Sequence, residues 1–335
     1  MRNLRNYILV LVVLVVSACA HKELCIEHPH WVPVRVDADW GNFSELPVNM
    51  SVMFFPKDGS EILTVHNNNH HTARTKLPVN TYDVVVFNEL MSDFDGLGFR
   101  NMKDFATAEA YLTDQTQLKI LKKSPDEEVV ADPERFGVAV VKDYKVTQEM
   151  LDRYRSQLKA GQQTEENVMT VAPDDKVHQF EVRLRAKGLQ YVHSMECSLS
   201  GLAGGHLFAE DMPSSDRVTH RLTNWQKVLT SDSEEGEGYL CGTCRSFGLP
   251  NDHTGEPDQN ILKMSILLVD LLTVMEFEFK IGDCISAETT ADGLVFTIDL
   301  DEDVVFPEVH PEENVDNGLV IDPGFDGDFW VGWKP

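Results

Sequence analysis

The chain has few basic residues. Its 335 residues include 29 Lys and Arg against 55 Asp and Glu, which gives a formal net charge of −26. Nucleic-acid binding and docking on an anionic lipid surface both need basic side chains that neutralise phosphate groups. The composition therefore argues against nucleic-acid partners and against a protein that lies on anionic lipid, and it favours solubility.

The sequence also lacks an apolar run long enough to cross a membrane. Its longest uninterrupted run, Tyr7–Val16, has ten residues, whereas a spanning helix needs about 20. The most apolar later stretch, Ile261–Phe279, is interrupted by Lys263, Asp270, Glu276 and Glu278. We therefore expect a body without membrane-spanning segments.

Motifs that carry catalysis are absent from the sequence. There is no G-x-S-x-G elbow, no P-loop, no H-E-x-x-H and no dinucleotide-binding fingerprint. We therefore predict a non-enzymatic protein with no catalytic residues, no cofactor and no metal. One alternative stays open, because the paired carboxylates of glycosidases are brought together by the fold and not by sequence spacing.

Cysteines are few, and one pair has a recognisable spacing, Cys241-Gly-Thr-Cys244. Zinc sites of this type usually need a second pair, which the sequence does not offer. A redox role would need a βαβ context that this β-rich region lacks. We predict a disulfide or plain thiols in a hairpin. Beyond Cys19 the cysteines are odd in number: Cys25, Cys197, Cys241, Cys244 and Cys284.

The histidines form two local groups, neither of which has a carboxylate partner at a useful spacing. His28 and His30 flank Pro29, which holds them in an extended segment. The second group, His66, His70 and His71, surrounds three asparagines that we predict to form a hairpin tip between Ile62–Val65 and Thr72–Leu77. We interpret both groups as solvated, although His66 and His70 on adjacent strands could bind a metal weakly.

Acidic residues cluster in three places without completing a calcium loop. Such a loop needs a glycine at the right offset together with a closing bidentate glutamate and flanking helices, and none of the clusters offers this combination. We interpret them as solvated loops: Asp93–Gly98, Asp232–Glu237 and Asp301–Asp303.

The N-terminus has the pattern of a bacterial lipoprotein signal. Arg2 and Arg5 precede the apolar run, and Val16-Ser17-Ala18 places small residues directly before Cys19. We predict cleavage after residue 18, lipidation of Cys19 and a tether over residues 19–27. More than one acyl chain would anchor the body stably. The alternative is an ordinary secretory signal followed by an incidental cysteine.

Alternation of apolar and polar residues with period two dominates the rest of the chain. It occurs at Val32–Trp40, Phe180–Ala186, Met275–Ile281 and Phe296–Leu300. A strand with one apolar face and one solvent-exposed face is typical of antiparallel sheets packed in a sandwich. The sequence therefore predicts an all-β fold.

Helical signals are scarce, and the best one marks a predicted boundary. Thr147–Leu158 has one apolar face, with Thr147 as N-cap and Gly161 just past the end. We predict an N-terminal β-sandwich over residues 28–150 and a C-terminal one over residues 151–308. An acidic and aromatic tail follows over residues 309–335, whose aromatic rings we expect to be covered by a sheet edge or by another subunit.

Several fragments, in order, resemble a family of Bacteroidales lipoproteins that are similar to the fimbrillin superfamily and its FimB-like anchor subunits. The first is "ELCIEHPHWVPVRVDADW" at Glu23–Trp40, and "SLSGLAGGHLFAED" at Ser198–Asp211 is the most specific of the later ones. The other fragments are "MFFPKDGSE" at Met53–Glu61, "FGLPND" at Phe247–Asp252, the apolar region Ile261–Ile281 and a closing Gly-Phe-Asp.

The resemblance implies two tandem antiparallel β-sandwiches of transthyretin-like or Ig-like topology on an outer-membrane lipoprotein exposed at the cell surface. It implies a role as anchor or accessory subunit in fimbria assembly or adhesion. The partners would be other surface subunits, joined by β-strand addition. The alternative is a glycan-binding surface lipoprotein, whose candidate aromatic residues are Trp31, Trp225, Trp330 and Trp333.

We expect a Cys19→Ala variant to leave the membrane fraction, because it cannot receive the acyl chains that hold the chain there. The measurement is the distribution of the protein between membrane and soluble fractions. Cys25→Ala, only six residues along the same tether, is the control and should stay with the membranes. Retention of the Cys19→Ala variant would show that the lipid anchor is wrong.

Overall fold

The computed structural model describes residues 30–41, 43, 45–113, 127–230, 236–250, 254–290 and 293–311. The predicted all-β fold is confirmed. Over these ranges the chain forms β-strands in five sheets, two short 3-10 turns and the α-helix α1 (Gln148–Lys159). None of the helices in the described part is long and apolar enough to cross a membrane.

The strands are numbered in chain order. They are β1 Trp31–Ala38, β2 Met50–Pro56, β3 Leu63–Asn67, β4 Thr72–Pro78, β5 Asn80–Asn88, β6 Leu97–Arg100, β7 Glu109–Leu112, β8 Glu128–Val130, β9 Gly137–Val146, β10 Asn167–Val171, β11 Asp174–Asp175, β12 His178–Lys187, β13 Val192–Ala203, β14 Gly205–Leu207, β15 Met212–Pro213, β16 Arg217–Arg221, β17 Thr223–Leu229, β18 Gly238–Ser246, β19 Ile261–Leu268, β20 Val274–Lys280, β21 Ile285–Thr290 and β22 Gly293–Val305.

Two sheets form the first sandwich. Sheet 1 has the order β10-β1-β4 and sheet 2 the order β11-β9-β5-β2-β3. The inward rows of both sheets, including Val34, Val52 and Val84, pack into one apolar cluster, which we call the first core. Leu151 is the buried residue of α1 and joins this core.

The central strands β2 and β5 of sheet 2 are buried on both faces. Val84 and Val86 of β5 belong to the first core, whereas Val85 and Phe87 belong to a second, larger cluster, the second core. A strand with two buried faces reads as a continuous apolar run, not as an alternation. This arrangement explains the nearly unbroken apolar sequence of β5.

The second sandwich encloses the second core. Sheet 3 has the order β20-β19-β13-β16-β8 and sheet 4 the order β17-β18-β12-β22-β21. Phe180 of β12 and Phe296 of β22 stack with 4.5 Å between ring centroids in this core. β22 runs parallel to β12, as β10 does to β1, so distant parts of the sequence close both sandwiches.

A fifth sheet, the junction sheet, links the two halves of the chain. Its order is β15-β14-β7-β6, so β6 and β7 from the first half pair with β14 and β15 from the second. The pairing joins Tyr111 to Gly205 and Glu109 to Leu207. The halves therefore share main-chain hydrogen bonds as well as an apolar core.

The strand pairing corrects the predicted boundary at residues 150/151. β10 and β11 follow that point but pair with β1 and β9 of the first sandwich. In the other direction, β8 precedes it but pairs with β16 in sheet 3. Apart from β8, the chain passes to the second sandwich after Asp175, because strands on both sides of α1 are needed to complete the first.

The predicted hairpin around the asparagines is also corrected. β3 pairs with β2 in sheet 2, whereas β4 pairs with β1 in sheet 1. The segment between them therefore crosses from one sheet to the other. Trp40 holds this crossing, since its indole Nε1 donates to the His70 carbonyl oxygen at 2.6 Å.

The predicted helix is confirmed at both ends. The Thr147 side chain accepts a hydrogen bond from the Met150 amide at 3.3 Å, as an N-cap does. Gly161 has φ +64, the left-handed conformation that glycine adopts readily after a helix.

The Ser-Gly-Leu-Ala-Gly-Gly run carries the chain out of sheet 3 into the junction sheet. Gly201 sits with φ +80 at a β-bulge, and its amide donates to Glu127 Oε1 at 2.9 Å. Gly204 and Gly205 then pass so close to their neighbours that a Cβ at Gly205 would lie 2.2 Å from Glu109 Oε1. Small residues are therefore required where the backbone changes sheet.

Phe136 lies at the centre of an aromatic cluster, the junction cluster, between the sandwiches. Its ring centroid lies 5.2–6.2 Å from those of five other phenylalanines. Three come from the first half of the chain and two from the second, and they are Phe87, Phe94, Phe99, Phe208 and Phe247. Such aromatic pairs stabilise the fold by more than the burial of their apolar surface alone.

We expect Phe136→Ala to lower the free energy of unfolding by about 3–5 kcal/mol, the usual cost of truncating a fully buried phenylalanine. Because Phe136 contacts both halves, the loss should appear in both sandwiches. The measurement is urea unfolding combined with amide hydrogen exchange for each sandwich.

The matched control is Phe54→Ala, because Phe54 is equally buried but belongs to the first core. Its loss of protection should concentrate in the first sandwich. If Phe136→Ala changed protection in only one sandwich, the junction cluster would not couple the two.

Candidate functional site

The outer strand β20 offers an open sheet edge. One edge pairs with β19 in seven register pairs, from Leu267 opposite Val274 to Ile261 opposite Lys280. In the part of the chain that the structure describes, no strand pairs with its other edge. Unpaired main-chain groups along such an edge can receive a strand from another chain.

The apolar row of β20 is only partly covered. Met275 and Phe277 pack at the margin of the second core and remain half-buried. The Phe277 ring stacks on Phe279 at 6.1 Å and meets Phe306, near the end of the described chain, at 6.3 Å. Glu276 and Glu278 alternate with this row and face solvent. An added strand would meet apolar side chains on one face and charges on the other.

The turn before β20 presents aliphatic side chains to solvent. Leu271 is 48% exposed, Leu272 72% and Val274 49%. Leu271 also has φ +59, which costs a non-glycine residue about 1–2 kcal/mol. Packing does not explain this strain, since the Leu271 side chain is half in solvent.

Asp270 fixes this turn. It accepts hydrogen bonds from the amides of Leu272 and Thr273, and the Thr273 hydroxyl donates to its Oδ2 at 2.6 Å. The hydrogen bonds from Thr273 hold the pKa of the Asp270 carboxyl below its usual range. The apolar tip is thus held in place beside the open edge.

Other edge strands are better protected against pairing. The outward side chains of β4 include Arg74, Lys76 and Pro78, and charges and proline on an edge discourage strand addition. β21 is exposed and polar along most of its length. Of these edges, β20 combines an unpaired backbone with an incompletely covered apolar row.

Cys241 and Cys244 do not form a joint site. Both lie on β18, and an offset of three places them on opposite faces of the strand. Cys244 is buried, and burial raises its pKa well above the usual value. Both are free thiols, as are Cys197 and Cys284. Of the two predicted alternatives, plain thiols are found, on β18, which pairs antiparallel with the preceding strand β17.

The histidines are held by other polar groups or by each other. His66 Nδ1 lies 3.0 Å from Ser51 Oγ, and the rings of His70 and His71 are 3.9 Å apart. Across the described ranges, no three His, Cys, Asp or Glu side chains are arranged to hold a metal ion. His28 lies outside the described residues.

The acidic clusters are loop or edge residues where they are described. Asp93 lies in a turn closed on the Leu90 carbonyl oxygen, and Glu237 pairs with Lys187 at 2.6 Å. Asp301 is exposed near the end of β22. Residues 231–235 and the side chains at positions 302 and 303 lie outside the described part.

The four candidate tryptophans divide. Trp225 is buried in the second core, and its indole Nε1 donates to the Leu222 carbonyl oxygen at 3.2 Å. Trp31, the other candidate in the described part of the chain, is half exposed. Trp330 and Trp333 lie outside the described residues. So do Cys19, the tether over residues 19–27 and most of the tail.

Sequence reasoning missed the turn at Leu271 because Ile261–Ile281 was taken as one apolar strand region. The available signal was Asp270 followed by Thr273, a pattern that favours a side-chain-capped turn. It also missed the polar contacts of the junction sheet, which join residues far apart in sequence.

Two ion-pair networks stabilise the junction sheet. Arg100 donates to both oxygens of the buried Glu109, at 2.7 and 2.9 Å, and also contacts Asp216. The second network links Lys176 and the buried His206 through Asp211 Oδ1, at 2.9 and 3.1 Å. The first network joins residues from both halves of the chain, whereas the second lies within the second half.

The structure shares its fold with a solved bacterial protein. A crystal structure from Bacteroides ovatus described as a "putative adhesin" matches with a TM-score of 0.58 at 17% identity, over 87% of this chain and 98% of that one. The fimbrial anchor protein Mfa2 of Porphyromonas gingivalis gives a TM-score of 0.43 at 9% identity, over 79% and 95%.

The chain belongs to the family described as a domain of unknown function, DUF5119, whose model matches residues 18–223. A Bacteroides ovatus protein named "Putative fimbrium anchoring subunit Fim4B" is 27% identical over 206 residues. The match covers 61% of this chain and 56% of that protein, so it spans little more than half of the relative's length. The family resemblance noted in the sequence is thereby confirmed.

We expect acidification from pH 7.5 to 5.5 to destabilise the chain through His206. Burial lowers the pKa of His206 below its usual 6.5. As the pH falls below 6.5, the unfolded chain takes up this proton first, so stability falls with pH. Asp211 contributes stability that is lost only at lower pH, as the pH falls below 3.8. The hydrogen bond from His206 and the contact with Lys176 lower the pKa of Asp211 from 3.8 to about 2.

The measurement is the free energy of unfolding in urea at the two pH values. Between the two pH values the free energy of unfolding should fall less in His206→Gln than in the unaltered chain. His193 is exposed, so His193→Gln should show the same fall as the unaltered chain. An unchanged fall in His206→Gln would remove His206 as the source.

Proposed function

We propose that this protein is a non-enzymatic, lipid-anchored subunit of the cell surface that anchors or assembles fimbriae by β-strand addition. The observation that carries the proposal is the open edge of β20, with its half-buried apolar row and the exposed tip at Leu271 and Leu272. The edge would receive an extended segment of a fimbrial subunit.

Strand addition suits this edge physically. Main-chain hydrogen bonds to β20 would give affinity, and side chains of the incoming strand would cover Met275 and Phe277. Each buried aliphatic or aromatic side chain contributes about 1.5–3 kcal/mol. The exposed aliphatic tip would extend the contact beyond the strand itself.

Two further observations support the proposal. The name of the Bacteroides ovatus relative describes a fimbrium anchoring subunit. The N-terminal sequence predicts lipidation at Cys19, and a lipid on the N-terminus suits a subunit that stays in the outer membrane while others extend from it. The membrane would thus be the second partner, reached through Cys19.

A non-enzymatic role agrees with the scattered positions of the reactive side chains. Cys241 and Cys244 face opposite sides of β18, and the His66 imidazole lies against Ser51. The apolar row of β20, with Met275 and Phe277, is a surface for association and carries no catalytic side chain.

We expect the double variant Leu272→Glu, Val274→Lys to retain less fimbrial subunit than the unaltered chain. Charges at an edge oppose strand addition because they would be buried without partners. The measurement is crosslinking on intact cells followed by purification and quantification of the captured fimbrial subunits. A loss of roughly tenfold would match about 1.4 kcal/mol of lost interaction.

The control is Val228→Lys, Leu229→Glu, which alters two similarly exposed aliphatic residues on β17 of sheet 4. Both double variants should keep the melting temperature of the unaltered chain. Equal capture by both double variants would contradict the role of the β20 edge.

A further inference from the structure

We propose that the outward face of sheet 1 binds an anionic polysaccharide, one that carries carboxylate or sulfate groups. This face, called the sheet 1 face below, is formed by Trp31, Pro33, Arg35, Arg74, Lys76 and Pro78. It lies on the opposite side of sheet 1 from the first core, away from the β20 edge on sheet 3. The inference does not depend on the proposed anchoring function.

The strand register sets these side chains in three rows. Trp31 lies opposite Pro78, Pro33 opposite Lys76 and Arg35 opposite Arg74. The alternating burial of β1 sends its odd-numbered side chains outward, while Val32, Val34 and Val36 point into the first core. The face is therefore a flat ladder with apolar rings at one end and cations at the other.

Like charges meet directly across the two strands at Arg35 and Arg74. Such a pair is destabilising in a sheet unless an anion lies between the two side chains. Glu166 supplies one carboxylate to both, accepting from Arg35 Nη1 at 3.2 Å and from Arg74 Nε at 2.8 Å. Arg74 remains 60% exposed, so its terminal nitrogens are open to a further anion.

Lys76 adds a cation that the protein does not neutralise. In the described part of the chain, no carboxylate lies within ion-pair distance of its ammonium group. Three cations thus face two carboxylates here, those of Asp37 and Glu166. The chain as a whole has the reverse balance, 29 basic against 55 acidic residues. This local inversion of charge fits an anionic ligand.

Trp31 identifies sugar as the ligand class. Its ring is 49% exposed and lies beside Pro33 and Pro78, so the three rings together present an apolar surface to solvent. Sugar rings stack their C–H faces on such aromatic surfaces, and carboxylates or sulfates pair with Arg and Lys.

The spacing fits a polymer. Lys76 stands about 7 Å along the strand from the Trp31 row, and the arginine pair about 13 Å from it, at about 3.3 Å per residue. One free anion cannot contact all three rows, whereas a chain of charged sugars can.

The test is the affinity of the purified full chain for four probes, measured by isothermal titration calorimetry. The probes are polygalacturonate, chondroitin sulfate, neutral dextran and poly-L-glutamate. We expect binding to at least one of the two anionic polysaccharides, no binding to dextran and weaker binding to poly-L-glutamate. Arg74→Ala, Lys76→Ala should weaken polysaccharide binding roughly tenfold or more, as charge-assisted contacts are lost.

Variants of the ring separate sugar recognition from simple charge attraction. Trp31→Ala should weaken polysaccharide binding severalfold, and Trp31→Phe, which keeps an aromatic ring, should retain most of it. The matched charge control is Lys142→Ala, Lys145→Ala, which removes two exposed cations from β9 and should change nothing. Melting temperatures confirm that each variant is folded.

Three outcomes would overturn the proposal. The first is no binding to either anionic polysaccharide. The second is equal or tighter binding to poly-L-glutamate, which would assign the face to an acidic polypeptide. The third is an unchanged affinity in Trp31→Ala, which would leave charge alone as the source of binding.

Discussion

The packing of phenylalanines around Phe136 is the constraint on which the rest of the structure depends. Rings from the first half of the chain and rings from the second meet in one buried cluster. β5 of sheet 2 consequently has no solvent face, because the second face of this strand forms part of the core of the second sandwich. Interiors packed at this density transmit displacements and do not absorb them. The two sandwiches therefore behave as one body, and a force applied to either is carried through the junction.

The junction sheet follows from this constraint. Once the sandwiches share a core, the chain has to pass between them at close range, and the Ser-Gly-Leu-Ala-Gly-Gly run makes that passage. Gly201 supplies the left-handed bulge, and Gly205 lets the backbone approach Glu109. The buried Glu109 is in turn neutralised by Arg100. A motif that could suggest a binding loop is explained here by packing and backbone geometry.

Sequence reasoning succeeded where local rules decide the structure. Period-two alternation located β1, β12, β20 and β22, and the Thr147 cap located α1. It failed where the outcome depends on which strand pairs with which. β3 and β4 are consecutive and separated by turn residues, yet they belong to facing sheets. The boundary at residue 150 failed for the same reason, since β10 completes a sheet begun by β1. The open edge at β20 could not be recognised from the sequence, because a strand is an edge only when no other strand pairs with one of its sides, and the sequence does not specify the pairing.

The parallel pairing of β22 with β12 has a consequence for how the chain folds. β22 is the last strand described, and it lies inside sheet 4 between β12 and β21. Sheet 4 therefore cannot close until the chain has been made as far as Val305, and the entropy of closing such a long loop is lost before the pairing gives any gain. The first sandwich is not bound by this delay, because all of its strands precede Lys176. The second sandwich is therefore completed against a first sandwich that can already be folded.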